Sequence, residues 1–321
     1  MKKVTFKGLW EVLKASFSGF SDDKVTKLSA SLAYYTIFSL GPLLIVIIFL
    51  CSIFFGREAV EGTIYFQMES FVGKDAALQM QQIIKNAAVA GKGMVAATIG
   101  FVTLLIGATT VFAEIQDSIN SIWGLKPKPK TGWIKLLMNR LLSFSVIISL
   151  GFLLLVSLAL SALIDGLMRR LQIMFPDVAV VFVYIVNLLL TFGVTTLLFA
   201  IIFKVLPDAK IKWKDVLAGA IATSVLFMIG KLLISLYISK AEVGSTYGTA
   251  GSLVILLVWV YYSSIILYFG AEFTKAYALK FGSEIYPNDY AVVTQQVEVE
   301  KGKKSVQKAE KEDPNSRIKP A

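Results

Sequence analysis

The side chains able to do chemistry in this chain are few, and they gather at the edges of apolar runs. Glu114, Gln116, Asp117 and Asn120 follow the charge-free stretch 93–113, and Glu272 and Thr274 follow the stretch 243–271. Ser29, Ser31, Tyr34, Tyr35 and Ser39 lie in the first part of 28–56. Carboxylates among amides and hydroxyls suit a proton or cation moving through a medium that penalises charge. Three further positions stand out. Pro42, in FSLGPLLIV, has no amide proton, so the Phe38 carbonyl loses its intrahelical partner. Lys231 is the single charge in 216–239, and Tyr247 is the notable side chain of the octet VGSTYGTA.

Other chemistries are excluded by what the chain lacks. It contains no histidine, which removes Ser–His and Cys–His nucleophiles and most zinc sites. The single cysteine, Cys51, cannot form an internal disulfide and reads as a small buried hydrophobe in an apolar run. There is no HExxH, no P-loop, no cysteine pair and no pair of aspartates at mid-membrane depth. No polar segment is long enough to fold as a catalytic domain. The expectation is a protein that is not an enzyme, with no cofactor and no metal.

The elements that must position these residues are apolar helices. Hydrophobic residues make up 56% of the 321-residue chain and charged residues 17%, against roughly 45–50% and 25% in soluble domains. A bilayer core needs about 20 apolar residues at 1.5 Å rise. Charge-free or nearly charge-free runs supply six such spans, near 28–56, 93–113, 141–164, 178–203, 216–239 and 251–271. The expected fold is therefore all-α, a polytopic membrane protein with a transmembrane domain over 28–280. The start MKKVTFKGLWEVLK lacks the apolar core of a secretory signal, so the first span is expected to direct insertion.

Basic residues orient the bundle. The arm 1–27 has six lysines, the connection 114–140 five basic residues and 204–215 four; the alternate connections 57–92 and 165–177 have four and two. This bias places both termini in the cytoplasm and accounts for most of the net charge of +10, so nucleic acid is not an expected partner. In the arm, Phe6, Leu9, Trp10, Leu13, Phe17 and Phe20 form one stripe, with Lys7, Glu11 and Lys14 elsewhere, the spacing of an amphipathic interfacial helix. The outer loop 57–92 has the pattern of two short helices. The tail 281–321 is polar, balances seven basic against seven acidic residues beyond 282, and is expected to be disordered.

With this orientation, Tyr34, Tyr35, Ser39, Glu114, Gln116, Asn120 and Glu272 all fall toward the cytoplasmic ends of spans 1, 2 and 6. One reading is a water-accessible vestibule with Glu114 and Glu272 as proton or cation sites. The other is ordinary helix-end polarity, with the acids paired to lysines. Pro42 is either a hinge with a coordinating carbonyl or a static kink. Lys231 either snorkels to the outer interface or meets a substrate. Tyr247 sits in an outer loop or re-entrant turn, where interface anchoring is the usual role. The small-residue pairs Ala96/Gly100, Ala218/Ala222 and Gly244/Gly248 read as helix-packing contacts.

Several of these segments together resemble a known family. SLAYYTIFSLGP (31–42), EIQDSINSIW (114–123), Leu206-Pro207 before Trp213, YGTAGS (247–252), WVYY (259–262) and Gly270-Ala271-Glu272 are similar to the YihY/BrkB envelope proteins, in the expected order across about 15–280. The resemblance implies a six-helix protein of the bacterial inner membrane with an exporter or lipid-handling role. Members have carried a ribonuclease BN label, which the missing metal and acid–base residues argue against. The partners expected are the lipid bilayer and a small polar, amphipathic or lipid-linked solute. The alternative is a non-transporting scaffold for envelope integrity.

Overall fold

The computed structural model describes residues 4–39, 78, 110–127, 176–240, 251–288 and 291–294. The expected span 141–164, most of 93–113, residues 40–56 of the first span with Pro42 and Cys51, the loop 57–92 apart from Leu78, Tyr247 and the tail beyond 294 lie outside the described residues.

Helix α1 (Phe6–Asp22) begins where Thr5, in an extended conformation, accepts the Gly8 N–H on its hydroxyl at 3.2 Å. It ends where Lys24 takes a left-handed conformation (φ 52°) and the Asp23 N–H closes on the Gly19 carbonyl at 2.8 Å. The chain then restarts as α2 (25–39). The expected helix over 5–20 thus forms, with three faces. Small residues Gly8, Val12 and Ser16 are buried, and α1 packs along the last helix of the bundle. Lys7, Glu11 and Lys14 are exposed. Phe6 and Trp10 point away from the protein, 88% and 64% exposed, whereas Phe17 and Phe20 rest on the Phe269 ring of the last described helix, at 4.9 and 6.2 Å between centroids.

Helix α3 (110–122) ends at Gly124, whose φ of +68° lets the chain turn directly into strand β1 (Leu125–Pro127). Three long helices follow: α4 (Pro176–Val205), α5 (Trp213–Lys240) and α6 (Gly251–Phe281). At 1.5 Å per residue they run roughly 42–46 Å. Among the described residues these three are long and apolar enough to cross a membrane. They cover the expected spans 178–203, 216–239 and 251–271. Helix α6, however, continues ten residues past the expected end. Charges do not stop it because neighbours take them up: Lys275 donates to the Ile122 carbonyl, and Lys280 pairs with Glu11.

Helix α5 packs against both α4 and α6. Its seam with α6 is reciprocal. A Cβ on Gly219 would lie 1.9 Å from the Thr274 hydroxyl oxygen, and one on Gly270 would lie 2.1 Å from that of Thr223. Each threonine hydroxyl donates back to its own helix at 2.7 Å, Thr223 to the Gly219 carbonyl and Thr274 to the Gly270 carbonyl, so close approach strands no polar group. The expected pair Ala218/Ala222 is only half-buried; the contact is made one position on, by Gly219 and Thr223.

Two short antiparallel ribbons join the helix ends, so the fold is mostly helical rather than all-α. Strand β1 pairs with β4 (Ala291–Val293), placing Leu125 opposite Val293 and Pro127 opposite Ala291. Strand β2 (Ala209–Lys210) pairs with β3 (Tyr286–Pro287). The first part of the tail is therefore ordered, contrary to the expectation of disorder from 281. Its average polarity conceals the apolar run Ala291-Val292-Val293, with two β-branched valines and the buried Ala291. The main core lies at this strand-bearing end, where Val25, Ile119, Ile122, Phe203, Val216 and Tyr268 meet.

Candidate functional site

Two buried polar groups lie within the strand-bearing end. The first is built on Asp208, in the turn between α4 and β2. Gln116 and Asn120 stand one turn apart on α3 and so share a face. Gln116 donates its amide to one Asp208 carboxylate oxygen at 2.9 Å, and Asn120 donates to the other at 3.0 Å. The Asn120 side-chain oxygen accepts the Asp208 N–H at 2.8 Å, and the Asn288 N–H donates to the Asp208 carbonyl at 2.9 Å. Asp208 is 1% exposed, with both amides buried beside it. This arrangement fixes the α4–α5 turn against α3 and the tail. A second acid, Asp215 in the first turn of α5, does the same for the end of α6 by accepting the Ser283 N–H at 3.1 Å and its hydroxyl at 2.7 Å.

The second group is built on Glu272 of α6, which is 2% exposed. Helix α1 crosses it at Gly19, where a Cβ would lie 2.4 Å from Glu272 Oε2; only glycine leaves room for the carboxylate. Glu272 Oε1 has no hydrogen-bond partner among the described residues. The Asp23 carboxylate faces Glu272. Lys275, one turn on, lies 3.6 Å from Asp23 and donates to the Ile122 carbonyl, capping the end of α3. The Trp123 indole donates to the Ala271 carbonyl at 3.1 Å, closing the same junction. One turn back along α6, the wholly buried Tyr268 adjoins Ser118 and Glu114. Two facing carboxyl groups with an ammonium beside them, Glu272 buried and Asp23 and Lys275 partly exposed at 29% and 31%, can take up and release a proton. At the rim, Lys280 hydrogen-bonds Glu11 and holds its carboxyl below the usual carboxylate range.

The structure thus brings together some of the expected residues and separates others. Glu272 stands one turn from Tyr268 on α6, and Glu114, on α3, adjoins the same tyrosine, whereas Gln116 and Asn120 belong to Asp208. Tyr34 is exposed on α2 and meets Phe38 at a tilt (4.7 Å between ring centroids) and Tyr35 edge to face (5.6 Å). Ser39 donates to the Tyr35 carbonyl at 2.8 Å. Lys231 is half-buried on α5, ten residues or about 15 Å from the level of Glu272. Pro42 and Tyr247 lie outside the described residues. Sequence reasoning did not single out Asp208, Asp215, Asp23 or Gly19. The spacing of Gln116 and Asn120 was a signal for the first, because two buried amides on one helix face need an acceptor.

Residues 16–290 match the sequence profile of the family described as virulence factor BrkB. A UPF0761 membrane protein of Pseudoalteromonas translucida is 29% identical over 79% of this chain and 81% of its own length. One of Alteromonas mediterranea is 26% identical over 79% and 83%. A longer one, of Rhodospirillum centenum, is 29% identical over 82% of this chain, which spans 56% of that relative. No solved structure matches.

Proposed function

The chain belongs to the virulence factor BrkB family of membrane proteins, and within it we propose a transporter or exporter of an amphipathic, lipid-linked or small polar solute. The observation that carries this reading is Glu272: a carboxyl group buried among apolar helices, facing Asp23, with an oxygen that has no partner among the described residues. A purely structural acid at that depth is expected to be enclosed by donors, as Asp208 is. A proton-carrying acid needs a state in which it gives its proton up. The protein does no catalysis in this reading and needs no cofactor, metal or nucleic acid.

The proposed setting is the bacterial inner membrane, with the strand-bearing end and both termini in the cytoplasm. Lys126, Lys204, Lys210, Lys212, Lys214, Lys275 and Lys280 all lie toward that end, which supports the orientation. The exposed apolar face of α1 suits the lipid interface on the same side.

Proteoliposomes loaded with a pH-sensitive dye test the reading under an imposed membrane potential. The parent should move protons above the background of empty vesicles, and Glu272→Gln should return the signal to background with unchanged thermal stability. Equal signals with and without protein would remove the support for transport. A second reading, a non-transporting scaffold, is favoured by the use of Gln116 and Asn120 to hold Asp208. It requires Glu272→Gln to leave envelope integrity in cells intact while Asp208→Ala abolishes it.

A further inference from the structure

The strand-bearing end also holds a cleft that shares no residue with the Glu272 group. Its volume is about 720 Å³, and Lys204, Lys210, Lys212, Glu284, Tyr286 and Asn288 line it. Strands β2 and β3 form part of its wall, so its shape is set by backbone pairing. Three lysines face one carboxylate, and Glu284 already accepts the Tyr286 hydroxyl, so the lining is net positive. Lys204 is held in place: its ammonium donates to the Ile211 carbonyl and lies 5.8 Å from the centre of the Trp213 ring. An ammonium has three protons, so this bond leaves donors for an anion.

The surroundings indicate where that anion comes from. Trp213, Leu217, Ile221 and Val225 follow one another at four-residue spacing on α5 and are all exposed. This apolar stripe begins beside Lys212 and runs along a helix long enough to span the membrane. The cleft therefore opens at the level where lipid headgroups lie, with a tryptophan at the boundary. We infer that the cleft binds a phosphate-bearing anion, with the phosphate of an anionic membrane lipid as its source. The lysines would receive the phosphate oxygens while the acyl chains lie along the α5 stripe.

Thermal unfolding of the full chain in detergent tests this with phosphatidylglycerol, phosphatidylcholine, glycerol 3-phosphate and glycerol as probes. Phosphatidylglycerol should raise Tm in a saturable way, and phosphatidylcholine should not. In K210Q/K212Q the half-saturating concentration should rise roughly 30-fold, while K210R/K212R and Lys214→Gln, outside the cleft, should behave as the parent. Lys212→Gln alone carries the comparison, at a smaller shift, if the double variant does not fold. If glycerol 3-phosphate reproduces the effect with the same lysine dependence, a phosphate site stands and its source is a soluble ester. Equal responses to both lipids with none to glycerol 3-phosphate would overturn the proposal, as would a shift that survives K210Q/K212Q.

Discussion

Asp208 shows what a buried acid looks like when its task is to hold a turn: both carboxylate oxygens meet amide donors from α3. Asp208→Ala should leave the Gln116 and Asn120 amides stranded, at about 1–3 kcal/mol per group, and lower Tm sharply. Asp208→Asn, which keeps the shape but opposes amide to amide, should fall between the two. Gly19 makes a converse prediction. Gly19→Ala drives a methyl into the Glu272 carboxylate and should cost about 1–3 kcal/mol by overpacking, detectable as a lower Tm and faster proteolysis of the arm. The candidate acids Glu114 and Glu272 were legible from their position after apolar runs. The acceptor for the Gln116 and Asn120 amides was not, because Asp208 is 88 residues from Asn120 and 92 from Gln116. No local pattern joins such positions.

At the scale of elements, the Gly219–Thr274 and Gly270–Thr223 contacts set how closely α5 and α6 approach. Gly270→Ala should destabilise by about 1–3 kcal/mol, and adding Thr223→Ser, which removes a methyl at the contact, should recover part of the loss; a Tm series checks both. Period and charge gave the positions of α4, α5 and α6 to within a few residues at most ends. They failed at the end of α6, because Lys275 and Lys280 count as span-ending charges only until their partners are known, Ile122 and Asp23 for the first and Glu11 for the second. The Lys280 hydrogen bond, then its charge, depress the Glu11 pKa. The stability gained is therefore present above the ordinary carboxylate value and fades as pH falls through the depressed one. Both side chains are exposed, so the effect is small and salt-sensitive. Trp10 fluorescence should report an acid-dependent loosening of α1 that Glu11→Gln lacks.

For the whole molecule, the orientation is the testable statement. In a chain with Cys51→Ser as background, a membrane-impermeant maleimide should label Lys240→Cys in intact cells and Lys212→Cys only after lysis. The reverse pattern would invert the topology. Helical character, three membrane-length helices and the family resemblance were all legible in the sequence, because apolar runs and short motifs are local signals. The ribbons were not, because two- and three-residue strands have no periodicity to read and their partners lie far along the chain. That distance has a consequence for biogenesis. Leu125–Pro127 and Ala209–Lys210 leave the ribosome long before Ala291–Val293 and Tyr286–Pro287 exist to pair with them. These edges stay open until residues 286–293 have been made, so a nascent chain that stalls before them or misinserts α6 displays them to proteases, and a chain extended past them does not.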